Sequence, residues 1–101
     1  MIIYNVTTKV RSDIASEWLQ WLKEVHVKEI LDTNCFTDFK IARLLEIDEE
    51  EGPTYALQLY ADSKATYNQY IQKFASKMRQ QAFDKWGDKF ISIRSVMRIV
   101  H

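Results

Sequence analysis

The sequence predicts an α+β fold in which a four-stranded antiparallel sheet is covered on one face by two helices. Two observations support this prediction. Four segments of the 101-residue chain alternate apolar and polar side chains with period two, and two longer segments repeat them about every 3.6 residues. These elements follow one another in the order βαββαβ. Because only two glycines and one proline are available for linkers, we expect a single domain over residues 1–101.

The first strand and the first helix occupy the N-terminal third of the chain. Residues 2–10 form the strand, whose inward face is expected to carry Ile2, Tyr4, Val6, Thr8 and Val10. Ser12 or Asp13 then supplies an N-cap oxygen for the helix. The helix is expected to end near Asp32, and its apolar stripe consists of Ile14, Trp18, Leu22, Val25 and Ile30.

A hairpin follows the first helix. Residues 36–47 read as the second strand, with Phe39, Ile41, Leu45 and Ile47 facing the helices. The acidic run from Asp48 to Pro53 is typical of a turn, and residues 54–61 alternate again as the third strand.

The second helix and the last strand complete the predicted fold. Asp62 or Ser63 caps the helix, whose stripe runs from Tyr67 to Trp86 and which ends at Gly87. In the strand over residues 90–100, the predicted inward set is Ile91, Ile93, Met97 and Ile99, and the outward set is Ser92, Arg94, Val96 and Arg98. Together the elements predict the ferredoxin-like βαββαβ arrangement.

The sheet face turned away from the helices is predicted to be neither plainly polar nor plainly apolar. Such a mixed face suits packing against the sheet of a second copy, so we expect a homodimer. The residues expected at this interface are Asn5, Lys40, Gln58, Tyr60 and Arg94.

Composition excludes several classes of function. Fourteen basic residues balance fourteen acidic ones, so the chain lacks the positive surface expected of a nucleic-acid-binding protein. No signal peptide or membrane-spanning run is recognisable, and we expect a cytoplasmic protein that does not bind membranes. Cys35 with His26 and His101 has no metal-ligand spacing, and no cofactor motif is present. Cys35 is expected to be a small buried residue rather than a nucleophile.

Taken with the order of elements, a set of residues resembles an uncharacterised family of small bacterial proteins, a domain of unknown function in the dimeric α/β-barrel superfamily. The set is Trp18, Trp21, His26, Glu29, Cys35, Phe36 and Arg43. The similarity extends from IIYNVT through WLQWLKEVHVKEIL and NCF to TYALQLYA. Relatives include EthD-like and antibiotic-biosynthesis monooxygenase-like proteins. The resemblance implies two ferredoxin-like subunits with joined sheets, each keeping a pocket between sheet and helices. The chain departs from these relatives at Val27 and Lys28, where a proline often follows the histidine, and at Asn34, where a glycine is frequent.

Three polar residues on predicted apolar faces form the candidate site. Helical projection places Glu29 at the same angle as Leu22, within the stripe of the first helix. Arg43 is the one charged residue on the inward face of the second strand, so a Glu29–Arg43 ion pair is predicted. His26 lies close enough in sequence to join them. The cluster has two interpretations, a catalytic group or a structural network that orients the end of the helix.

As chemistry, His26 would act as general acid or base, and Arg43 or Arg94 would stabilise an oxyanion. Tyr4, Trp18 and Tyr60 would shape an apolar pocket, although Trp18 is better explained as a core residue. Haem would need His26 as axial ligand and a large apolar pocket. The sequence therefore favours a small-molecule-binding or structural homodimer. The alternative is a cofactor-independent monooxygenase-like or isomerase-like enzyme acting on a small aromatic or enolisable substrate.

Overall fold

A computed structural model describes residues 1–101 and has the predicted ferredoxin-like architecture. The strands are β1 (Ile2–Val10), β2 (Asp38–Arg43), β3 (Thr54–Ala61) and β4 (Phe90–Arg98). They form one sheet in the order β2-β3-β1-β4, and every neighbouring pair is antiparallel. The helical segments are α1 (Ala15–Trp21), a π-helical turn (Leu22–His26), α2 (Val27–Leu31), α3 (Lys64–Lys73) and α4 (Ala75–Trp86). Helix residues and one sheet face enclose the core, in which Leu59 and Val10 are fully buried.

The first helix contains the π-helical turn, which the sequence pattern did not predict. A π-helical turn takes one residue more than an α-helical turn, so every later side chain is rotated relative to a regular helix. Val25, predicted at the centre of the buried stripe, is 42% exposed, whereas Val27 is 1% exposed. Ile30 rather than Glu29 continues the buried face below Leu22.

The ends of the helices follow the predictions in part. Neither Ser12 nor Asp13 caps α1, because Ile14 occupies the N-cap position and Asp13 pairs with Arg11. Ser63 does cap α3, where its Oγ accepts a hydrogen bond of 3.1 Å from the Thr66 backbone N–H. The second helix is divided into α3 and α4 at Phe74, and Gly87 ends α4 with a φ of 63°.

Strand β2 ends four residues earlier than predicted, at Arg43. Its last partner is Tyr55, and the Leu44 backbone N–H donates to the Thr54 carbonyl where β3 begins. Beyond that point no strand remains to pair with, so Leu45 and Ile47 lie outside the sheet and are exposed rather than facing the helices.

Strand β4 has the opposite facing from the one predicted. Its register with β1 pairs Arg94 with Val6 and Val96 with Tyr4, which places Arg94 on the helix-covered face. Ile91, Ile93 and Met97 therefore lie on the open face and are exposed. The prediction put the more apolar set inward, but β4 is an edge strand and the helices cover it incompletely.

Candidate functional site

A cavity of about 70 Å³ lies between the helices and the covered face of the sheet. The strands supply one wall, made of Tyr4, Val6, Thr8, Tyr55, Leu57, Leu59, Phe90, Ser92 and Arg94. The helices supply the other, made of Trp18, Trp21, Leu22, His26, Ile30, Tyr70, Met78, Arg79 and Ala82. Most of these side chains are apolar, so the few polar groups among them determine what the cavity can recognise.

His26 reaches this cavity from the π-helical turn. Its ring stacks on Trp21 with the centroids 4.5 Å apart and the planes inclined by 20°. The Nδ1 atom is buried and has no hydrogen-bond partner. Burial lowers the pKa of His26 to about 4, because the charged imidazolium is poorly solvated there. The imidazole is therefore neutral at pH 7, and its unpartnered nitrogen is available to a ligand.

Two arginines stand at the cavity from different elements, Arg79 from α4 and Arg94 from β4. Arg79 Nη2 donates a hydrogen bond of 3.1 Å to the Tyr4 hydroxyl. On the floor of the cavity the hydroxyls of Thr8 and Ser92 are 2.8 Å apart. Polar groups thus reach the cavity both from strands β1 and β4 and from the helices.

The predicted cluster of His26, Glu29 and Arg43 is not brought together. Arg43 forms an ion pair and a short hydrogen bond with Glu49 in the hairpin, and that contact raises the pKa of the guanidinium. Its side chain lines a separate open groove beside α1. Glu29 is half-buried and forms no ion pair, because the π-helical turn rotates it off the buried stripe. Only His26 of the three lines the cavity.

All of the predicted pocket residues except Tyr60 line the cavity. Tyr4, Trp18 and Arg94 line the cavity, and Trp18 is also a core residue that stacks on Tyr55. Tyr60 does not line it, because it pairs with Ile3 on the open face, where its hydroxyl donates to Gln58. Arg94 lines the cavity instead of lying at the open face where the dimer interface was expected.

Sequence reasoning missed Arg79, Tyr70 and Trp21 as cavity residues. Arg79 directly follows Met78, which the helical stripe did place inward. The available signal for Arg79 was that a cationic residue lies next to a buried residue of the helix, but many such residues only face water.

The cavity sets limits on cofactors. No group of His, Cys, Asp and Glu side chains is arranged to hold a metal ion. A volume of about 70 Å³ is roughly half of the ~150 Å³ cavity that accepts one benzene molecule, so a haem does not fit. Cys35 is buried, as predicted.

None of the helices is both long and apolar enough to span a membrane.

Solved structures with the same fold come from several organisms. An EthD family protein from Bacillus halodurans C-125 has 11% identity and a TM-score of 0.70, with 99% of this chain and 100% of that one covered. A dimeric ferredoxin-like protein from an uncultured marine organism has 14% identity and a TM-score of 0.73, with coverages of 99% and 95%. A candidate antibiotic biosynthesis monooxygenase from Deinococcus radiodurans has 10% identity and a TM-score of 0.66, with coverages of 100% and 94%. These likenesses confirm the predicted fold.

Comparison with curated proteins found no match. A family model described as "Domain of unknown function (DUF4286)" matches residues 1–100.

Proposed function

The chain belongs to the DUF4286 family, a domain of unknown function, and from its cavity we propose that it is a homodimeric protein that binds a small molecule beside His26. One observation carries the proposal: His26, whose buried Nδ1 has no hydrogen-bond partner, lines a cavity that is otherwise largely apolar. Buried polar atoms are nearly always hydrogen-bonded, so an unpartnered one on a residue that lines a cavity calls for a partner. A ligand carrying one polar group among apolar ones supplies it.

The homodimer is proposed to form through the open face of the sheet. Ile91, Ile93 and Met97 are exposed there as large apolar side chains. Asn5, Lys40, Gln58 and Tyr60 share this face, whereas Arg94 does not. An apolar patch rimmed by polar residues is typical of an interaction surface. The similar structure from the uncultured marine organism is described as dimeric, which supports a second copy as the occupant.

Binding of a ligand is tested by a fragment screen followed by NMR on the native protein and on His26→Phe. Phenylalanine keeps the ring against Trp21 but removes both nitrogens, and Val25→Ala, one residue away on the exposed side, is the control. We expect fragments that shift the Trp21 indole signal, with affinity lost in His26→Phe and kept in Val25→Ala. A screen in which no fragment shifts cavity signals contradicts the proposed binding function.

A second candidate is catalysis of proton transfer on an enolisable substrate. The neutral imidazole of His26 would take a proton from carbon, and the enolate that forms would be stabilised by Arg79 or Arg94. A base with a pKa of about 4 is weak at pH 7, so His26 is better suited to bind a ligand than to abstract a proton from carbon. The volume of about 70 Å³ favours an enolisable substrate over an aromatic one. Faster uptake of deuterium into acetone by the native protein than by His26→Phe would support this activity, and equal rates would remove it.

A further inference from the structure

Arg79 and Arg94 both line the cavity. Burial raises the pKa of the Tyr70 phenol, and the charges of Arg79 and Arg94 both oppose that rise. Arg79 contacts the Tyr4 hydroxyl, and Arg94 pairs with Val6, two residues from Tyr4 on the same face of β1, so both cations border the same part of the cavity although one belongs to a helix and the other to a strand.

Neither arginine is neutralised by the protein. The ion pairs of the structure join Lys9 to Glu51, Arg11 to Asp13 and Arg43 to Glu49. No aspartate or glutamate lines the cavity. A guanidinium has five N–H donors, and the hydrogen bond from Arg79 to Tyr4 uses one of them. Most donors of both side chains remain available.

Arg79 and Arg94 are both exposed and neither is paired with a carboxylate of the protein, so an anion can reach both guanidiniums. Guanidinium binds carboxylate through parallel hydrogen bonds that are stronger than those between neutral groups. A positively charged cleft with walls of low polarity also concentrates anions near it.

The size of the cavity limits the rest of the ligand. At about 70 Å³ it holds a group smaller than a benzene ring, such as a branched aliphatic chain of three or four carbons. Trp18, Leu57 and Met78 supply apolar contacts for such a group.

We propose that the ligand is a small aliphatic carboxylate whose carboxylate lies between Arg79 and Arg94 and whose branched chain enters the cavity. This inference rests on the proposed binding function and adds the chemical class of the ligand.

The probes are isovalerate and its neutral amide, isovaleramide, which have the same branched chain. Dissociation constants are measured by NMR titration at low ionic strength. We expect isovalerate to bind about tenfold more tightly than isovaleramide, and Arg79→Gln and Arg94→Gln each to weaken isovalerate about tenfold. Arg98→Gln is the matched control, because Arg98 lies on the same strand and face as Arg94 but does not line the cavity.

The outcomes separate the two proposals. If isovaleramide binds as tightly as isovalerate in the cavity, small-molecule binding stands and the carboxylate inference fails. If isovalerate binds equally to the native protein and to both cavity variants, or if Arg98→Gln weakens it as much as they do, recognition by Arg79 and Arg94 is wrong. If neither probe binds, the carboxylate inference fails, and the fragment screen alone decides whether the cavity binds another ligand.

Discussion

His26 lines the cavity, stacks on Trp21 with the ring centroids 4.5 Å apart, and has a buried Nδ1 without a hydrogen-bond partner. His26 comes five positions after Trp21, and this i to i+5 interval is the hydrogen-bonding interval of a π-helix. The π-helical turn thus determines the stacking of the two rings and places the imidazole of His26 at the cavity. Such turns occur frequently at functional sites.

Acid is expected to destabilise the protein through His26. Its folded-state pKa of about 4 lies below the ordinary 6.5, so between these values the unfolded chain binds a proton that the folded chain does not. The stability that depends on neutral His26 is therefore fully present above pH 6.5. It is lost as the pH falls toward 4, and the loss is at most about 3 kcal/mol. Urea unfolding at pH 7, 5.5 and 4.5 measures this. His26→Phe should flatten that part of the profile, and an unchanged slope in the variant would assign the loss to other groups.

Val27→Ala is expected to cost about 2 kcal/mol, because it removes methyl groups from a fully packed position. Val25→Ala is expected to stay within about 0.5 kcal/mol, because Val25 faces solvent. In a regular α-helix Val25 would be the buried residue, so Val25→Ala would cost more stability than Val27→Ala. Equilibrium unfolding of both variants compares the same substitution two residues apart, and a larger loss for Val25→Ala would argue against the π-helical turn.

Glu29→Ala is expected to change the free energy of unfolding by less than about 1 kcal/mol, since Glu29 forms no buried ion pair. Arg43→Ala should have a similarly small effect, because its pair with Glu49 is partly exposed. Losses of about 3 to 5 kcal/mol, measured by urea unfolding, would instead indicate the buried pair that the sequence predicted.

Ile93→Glu is expected to convert the proposed dimer to monomer, because it places a charge within the exposed apolar patch that β4 presents on the open sheet face. Phe83→Glu is the control, since Phe83 is also an exposed large apolar residue but lies on α4. Light scattering at micromolar concentration should give a dimer for the native protein and for Phe83→Glu. A native monomer, or a dimer that Ile93→Glu leaves intact, would contradict the proposed interface.

The sequence predicts the facing of a strand correctly where only one facing buries its apolar side chains. Strands β1 and β3 alternate cleanly because both are central and have one buried face. The facing of β4 could not be predicted in this way, because an edge strand that is little covered carries apolar residues on either side. The inserted residue of the π-helical turn likewise leaves no mark in a stripe that can be drawn through either Val25 or Val27.

The candidate site was predicted less well than the fold, for the same reasons. His26, Tyr4, Trp18 and Arg94 line the cavity, but Arg94 was also expected at the open face of the sheet, because the facing of β4 was predicted the wrong way round. The Glu29–Arg43 pair failed because Arg43 has a nearer carboxylate, six residues along the chain in Glu49. Local pairing within a hairpin is difficult to weigh against a distant partner without coordinates.

The inward facing of Arg94 also bears on how copies of the chain associate. Strands β2 and β4 are the two edges of the sheet, where unpaired backbone groups invite the addition of further strands. Strand β2 is only six residues long and carries Asp38, Lys40 and Arg43. Strand β4 is longer but holds a charged side chain, Arg94, on its helix-facing side, one of the devices that discourage edge-to-edge growth into fibrils. The cation suggested for ligand recognition would thereby also protect an open sheet edge from aggregation.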